Sequence, residues 1–314
     1  MSFEKIIGHD FIKKQIQGSI QQKNFSHAHL IIGEDGIGKS LIAKETALRL
    51  LDKHENRDYV DIIEWKVMKN KQSIGVDEVR DIIREVNKKP YEGDKKIIIV
   101  YESHKMTIEA QNAFLKTIEE PPKGVTIILL SESLGLILET IRSRCQIHKL
   151  KRLSSEEIRE YLLREYPDLE LDKVRAVTAF SDGIPGRCQL FLEDNSFIEI
   201  RDISLDILLQ INKKEKSIVK KYEKFFYRYS EKWEEIISSF NSYIRDIIIY
   251  KDISKKELII NSDKIENIQQ LSNMYSFNEL YGMFELIDET KQKLDRRVNS
   301  ALAFQVMLLK MQEV

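Results

Sequence analysis

Gly33-Glu34-Asp35-Gly36-Ile37-Gly38-Lys39-Ser40 is the stretch that decides how this 314-residue chain is read. It fits G-x-x-x-x-G-K-[ST], in which glycines let backbone N–H groups curl around phosphate oxygens. The lysine reaches the β/γ-phosphates and the hydroxyl is placed on Mg²⁺. Such a pattern also occurs by chance, so its flanks decide. Ala28-His29-Leu30-Ile31-Ile32, directly before it, reads as a short buried strand. Residues 41–51, directly after it, read as a helix with Ala43, Ala47, Leu50 and Leu51 at helical spacing. Strand, loop and helix in that order are what a phosphate-binding loop needs, and the helix N-terminus adds partial positive charge at the phosphates.

Working outward, residues 61–65, 96–100 and 125–130 read as further strands. A helix is expected over 76–87, with Val76, Val79, Ile82, Ile83 and Val86 on one face. Another is expected over 108–119, with Thr107 as N-cap and Pro121-Pro122 as the stop. Strands alternating with helices predict a parallel sheet covered on both faces, with the loop at the carboxyl end of the first core strand. Near Leu150 the pattern changes. Ser154 and Glu157 form a capping box opening a helix with Ile158, Leu162 and Leu163 inward, followed by helices over 172–180 and after Gly183-Ile184-Pro185-Gly186. From about Phe197 everything reads helical. The aromatic residues of 216–251 read as bundle core, because base-stacking platforms are interleaved with a basic groove and the charges here alternate in sign. Val298, Ala301, Leu302, Phe304, Leu308 and Leu309 give an apolar finish. The expected domains are 1–149, an α/β phosphate-loop domain; 150–196, three helices; and 197–314, all-helical.

Composition excludes some classes. Charged residues make up 32% and the net charge is −1, so there is no global basic field. Cys145 and Cys188 stand far apart and suggest neither a disulfide framework nor a zinc site. Met1-Ser2-Phe3-Glu4-Lys5 does not read as a signal peptide, and no apolar run approaches the ~20 residues that span a bilayer, so a cytoplasmic placement without membrane contact is expected.

Several stretches carry a family resemblance. They are Phe3-Glu4-Lys5-Ile6-Ile7-Gly8-His9, Ile74-Gly75-Val76-Asp77-Glu78-Val79-Arg80 and Asn299-Ser300-Ala301-Leu302-Ala303-Phe304. The most specific is Asn112-Ala113-Phe114-Leu115-Lys116-Thr117-Ile118-Glu119-Glu120-Pro121-Pro122, which matches N-A-L-L-K-x-L-E-E-P-P, with Ser143-Arg144-Cys145 matching S-R-C beyond it. The chain resembles the delta-prime subunits of the bacterial DNA polymerase III clamp loader, within the AAA+ superfamily. The resemblance implies an AAA+ domain, a three-helix lid and a helical collar that oligomerises. It implies a hetero-pentamer with gamma/tau-type motor subunits and a delta subunit, which opens a sliding clamp and closes it on primer–template DNA. It implies ATP or ADP with Mg²⁺ at Ile7, Gly33, Gly36, Gly38, Lys39 and Ser40, with Ser40 reaching the metal through the nucleotide. It also implies that Arg144 is a finger acting in trans on the neighbouring motor's nucleotide; its other reading is an intrachain salt bridge.

The departures narrow that role. Many relatives carry a four-cysteine zinc module after the loop's helix; here residues 52–59 hold no cysteine, so no structural zinc is expected, and His54 with Glu55 reads as solvated surface. Tyr101 stands where a motor subunit has the aspartate that supports Mg²⁺, and a phenol is neutral at pH 7. Glu102 then has two readings, the group that polarises water or a strand-end surface carboxylate, and His104 reads as structural. The lid pattern G-x-x-R is displaced, since Arg187 lies four residues after Gly183, a turn of roughly 100° on a helix. Cys145 reads as a small buried thiol beside Arg144. The expectation is a stator-type subunit whose own ATPase is weak or absent. The alternatives are an active motor subunit in which Glu102 works despite Tyr101, and an unrelated phosphate-loop enzyme such as a small-molecule kinase.

Overall fold

The computed structural model describes residues 3–53, 55, 57–67, 71, 73–213, 217–255, 258–296 and 298–314. Contacts divide the chain into two compact units, Met1–Tyr161 with Gly183–Gly186, and Leu162–Asp182 with Arg187–Val314.

The first unit is built on five parallel strands in the order β2-β3-β4-β1-β5: β1 (Ala28–Ile32), β2 (Ile62–Trp65), β3 (Lys96–Val100), β4 (Val125–Ser131) and β5 (Gln146–Lys149). All five residues of β1 and of β3 are buried, as expected of central strands covered on both faces. β1 lies between β4 and β5, with Leu30 opposite Leu129 on one side and Ile147 on the other. The fifth strand is absent from the reading by pattern, because four residues, three of them polar, carry little periodicity. Lys96 opens β3 fully buried; its ammonium is held by Glu85 Oε1 at 2.7 Å and by the Glu85 carbonyl at 2.9 Å, so the buried charge is paired.

The helices of this unit are α1 (Asp10–Gln21), α2 (Lys39–Leu50), α3 (Val76–Val86), α4 (Ile108–Glu119) and the short α5 (Glu139–Arg142). α3 and α4 press Val79, Ile82, Val86, Ala110, Phe114 and Ile118 into one core with the sheet, every one of them fully buried. Thr107 caps α4 by accepting the Ala110 N–H, as its sequence predicts.

Three helices follow, α6 (Ser155–Glu165), α7 (Leu171–Ser181) and α8 (Pro185–Glu193). The capping box is present: Glu157 accepts the Ser154 N–H at 2.7 Å and Ser154 Oγ accepts the Glu157 N–H at 3.2 Å. Ile158 and Leu162 are buried, but Leu163 is 48% exposed, a correction to the expected inward face.

The rest of the second unit comprises α9 (Asn195–Ile211), α10 (Ile218–Arg228), α11 (Trp233–Ile253), α12 (Ile265–Met274), α13 (Phe277–Asp295) and α14 (Ser300–Met311). Tyr222, Phe225, Phe226, Tyr229, Phe240 and Tyr243 are buried in its core, and Phe226 stacks on Phe304 at 5.0 Å, whereas Tyr227 is exposed. A buried polar knot joins its elements. Asp246 accepts the N–H groups of Ile260 and Asn261 at 3.0 and 2.7 Å, and Arg201 donates to Asn261 and Asp263. Of the expected apolar finish, Ala301, Phe304 and Leu308 are buried, while Val298, Leu302 and Leu309 turn outward with Val306. Among the described residues no helix is long and apolar enough to cross a membrane.

Candidate functional site

The loop leaves β1 at Gly33, whose N–H donates to the Ser131 carbonyl of β4, and enters α2 at Lys39. Gly36 and Gly38 both hold positive φ, +74° and +108°, a conformation that costs glycine little. The first intrahelical bond is Ile42 N–H to Gly38 O at 3.2 Å, so the preceding N–H groups of α2 have no acceptor within their own helix. That is the anion-binding geometry of a helix start. The Lys39 ammonium folds over the loop and donates to the carbonyls of Gly33 and Glu34, both at 2.8 Å. Burial lowers its pKa, while the carboxylates of Asp35, Glu132, Glu102 and Glu34 act the other way. Ser40 and Ile7 are half-buried.

Other contacts on the loop have no motif to announce them. His9 Nε2 lies 3.0 Å from the Ile37 carbonyl, so this nitrogen carries the proton, and burial lowers the pKa of the ring. Arg152 grips both oxygens of Glu34, through Nε at 2.6 Å and Nη2 at 2.7 Å. The Gly186 N–H donates to the Gly36 carbonyl at 3.0 Å. A Cβ on Gly186 would lie 2.6 Å from the Gly36 Cα, so backbone meets backbone there and only glycine fits. A cleft of about 590 Å³ shares His9 and Arg152 with these contacts and is walled also by Phe11, His148, Lys149 and Glu157. His148 of its wall belongs to a buried histidine pair with a fixed proton order. His29 Nε2 faces the Ser26 carbonyl and carries a proton, so its Nδ1 accepts from His148 Nε2, 3.0 Å away. His148 Nδ1 is then a buried acceptor with no partner among the described residues.

At the end of β3 the two decisive residues part. The Tyr101 hydroxyl donates to Glu64 at 2.8 Å, and Glu64 is shared with Lys44 at 2.7 Å and Lys66 at 3.3 Å. Burial, then the Glu64 contact, push the Tyr101 pKa up, so the phenol stays neutral. Glu102 has a left-handed backbone, φ 47°, and pairs with Lys105 while remaining half-buried. His104 is tied to Glu132, accepting its N–H at Nδ1 (3.3 Å). The loop therefore fits a nucleotide phosphate better than it fits a metal: Lys39 and the helix start are in place, but Ser40 is joined by no carboxylate from position 101. Among the described residues there is no group of three or more His, Cys, Asp or Glu that could hold a metal ion; His54 lies outside them, and Glu55 is exposed.

Arg144 follows α5. Its Nε donates to Glu119 at 2.9 Å and its Nη1 to the Thr140 carbonyl at 3.0 Å, with a third of the side chain exposed. Cys145 beside it is half-buried rather than buried, and burial pushes its thiol up to about 12, so it is a poor nucleophile at neutral pH. Arg187 stands 3.9 Å from Asp182.

Comparison with known proteins adds the family. Residues 8–154 match the profile described as "DNA polymerase III, delta subunit", and residues 196–313 match "DNA polymerase III, delta subunit, C terminal". DNA polymerase III subunit tau of Bacillus subtilis is 28% identical over 98% of this chain and 61% of its own length. DNA polymerase III subunit delta' of Pseudomonas aeruginosa is 27% identical over 51% of this chain and 54% of its own. A gamma subunit-related protein of Thermotoga maritima superposes over 95% of this chain and 99% of its own, with 18% identity and a TM-score of 0.46. The chain thus spans less than two thirds of the length of these two sequence relatives.

Proposed function

We propose that this chain, which belongs to the DNA polymerase III clamp-loader subunit family, is a delta-prime-type stator. In this reading it holds ATP or ADP at Gly33–Ser40, hydrolyses little, and acts catalytically through Arg144 on nucleotide bound by a neighbouring motor subunit. The observation that carries the reading is Tyr101: the side chain at the metal-supporting position is a neutral phenol committed to Glu64 at 2.8 Å. Phosphoryl transfer depends on positioning and charge neutralisation, and removing one well-placed electrostatic group costs about 100–1,000-fold.

The residues divide the work as follows. Lys39 exchanges its bonds to Gly33 and Glu34 for phosphate oxygens, and the α2 N–H groups receive the same anion. Gly36 and Gly38 keep the turn, Ser40 offers its hydroxyl, and Ile7 with the cleft at His9 flanks the base. When bound, Mg²⁺ would neutralise β/γ-phosphate charge; Glu102, paired with Lys105, is poorly placed to hold that ion or to polarise water. Arg144 supplies its guanidinium to charge developing across a subunit boundary. We assign 1–149, 150–196 and 197–314 as nucleotide-binding domain, lid and collar. The outward row Leu302, Val306 and Leu309 on α14 supports the collar's association with motor and delta subunits in a pentamer. Through that complex the chain would act on a sliding clamp and primer–template DNA, in the cytoplasm.

Single-turnover hydrolysis by the isolated chain tests the proposal. Nucleotide binding without Lys39-dependent turnover is the expected result; turnover abolished by Lys39→Ala would overturn it. That second outcome would favour the motor reading, to which the intact loop and the 98% coverage by a tau subunit lend support.

A further inference from the structure

We infer that Glu119 is the positioning residue of Arg144, holding the guanidinium ready for a partner's phosphate; this rests on the finger reading above. Both residues stand on fixed parts of the fold. Glu119 is the last residue of α4, whose Ala110, Phe114 and Ile118 are fully buried, and Pro121-Pro122 follow after Glu120. Arg144 follows α5, anchored by the fully buried Ile141, and runs directly into β5.

The guanidinium is gripped at Nε by Glu119 (2.9 Å) and at Nη1 by the Thr140 carbonyl (3.0 Å). Nη2 has no acceptor among the described residues, so one arm of the planar fork remains available. A carboxylate at a helix C-terminus is unfavourable on its own, because the helix end is already partly negative. Arg144 offsets that charge, and the same contact fixes the arginine. An arginine loose on a surface surrenders rotamer entropy when it engages a phosphate; one already held surrenders less, and the difference falls on the rate rather than on substrate affinity. Being half-exposed, the pair contributes little to stability in itself, so a kinetic effect can be read without unfolding.

The test uses the full chain assembled with gamma/tau-type motor subunits and a delta subunit, followed by single-turnover ATP hydrolysis across a range of ATP concentrations. Arg144→Ala defines the phase that depends on the finger. Glu119→Ala is expected to slow that phase about tenfold, within the coupling of contacting residues, with the ATP concentration for half-maximal rate unchanged. Glu119→Gln, which keeps an acceptor oxygen, is expected to restore most of the rate. In the Arg144→Ala background Glu119→Ala is expected to add nothing. A Glu119→Ala phase as fast as wild type, or faster, overturns the inference while leaving the finger intact. An equal slowing in both backgrounds also overturns it, since Glu119 would then act on something other than Arg144. No phase lost in Arg144→Ala removes the finger reading and the inference with it.

Discussion

Replacing Tyr101 by Asp tests at its root the proposal that this chain hydrolyses little. The substitution removes a phenol whose hydroxyl donates to Glu64 at 2.8 Å and whose ring lies 4.8 Å from the Lys66 ammonium. Glu64 is not orphaned, because Lys44 (2.7 Å) and Lys66 (3.3 Å) remain on it. The structural loss is one hydrogen bond to a charged group, about 1.5–3 kcal/mol, which a melting curve reads separately. The gain is a carboxylate at the end of β3 beside the phosphate loop. If the absent charge accounts for weak turnover, restoring it can return at most the about 100–1,000-fold that one such group supplies. Since the surroundings evolved around a phenol, the expected rise is at least about tenfold, or 1.4 kcal/mol of barrier. The assay is single-turnover hydrolysis by the isolated chain in excess over ATP, with Mg²⁺ varied. Tyr101→Asn, polar but uncharged, should show no rise. An Asp variant that folds and binds ATP yet hydrolyses no faster would refute the reasoning, as would an Asn variant that gains equally.

Two further outcomes follow from the geometry. Gly186→Ala places a Cβ about 2.6 Å from the Gly36 Cα, so the phosphate loop must shift; nucleotide affinity in a fluorescence titration should fall at least about tenfold, and unchanged affinity would mean the turn yields instead of the loop. Asp194 caps α9 and pairs with Lys232; the Ser196 hydroxyl first, then Lys232 and the backbone N–H groups of Phe197 and Ser196, bring its pKa down to about 2. A depressed carboxyl contributes stability that is full above its unfolded value and is lost as pH falls through the folded one. The stability gap between wild type and Asp194→Asn, measured by urea titration, should therefore shrink from pH 5 towards pH 2; a gap independent of pH would remove the charge from the account.

Local signals made most of the fold legible. β3 begins and ends at Lys96 and Val100, and α4 runs from Ile108 to Glu119 under its Thr107 cap, because a strand buried on both faces and a capped helix each write their limits into adjacent residues. β5 was not legible: Gln146-Ile147-His148-Lys149 becomes a strand only because β1 offers it a free edge. Helical spacing predicted an apolar α14 but could not say that Leu302 and Leu309 face outward, since an apolar helix looks the same whether its second face meets a core or a partner. In the candidate site the glycines, Lys39 and Tyr101 were visible by motif. The contacts of Arg152 with Glu34 and of His9 with Ile37 were not, because pairs 118 and 28 residues apart leave no periodic trace.

The same distinction bears on the proposal that one chain carries a nucleotide loop and an arginine that serves a different nucleotide. In the loop, the Lys39 ammonium is turned inward: it donates to the carbonyls of Gly33 and Glu34, and Glu34 is itself held by Arg152. A phosphate entering there exchanges for the Gly33 and Glu34 carbonyls on Lys39. At the other position the balance is reversed. Arg144 keeps Nη2 without an acceptor among the described residues, on a side chain one third exposed. Binding there adds a contact instead of exchanging one, and in the stator reading the partner that adds it is the phosphate held by the next subunit.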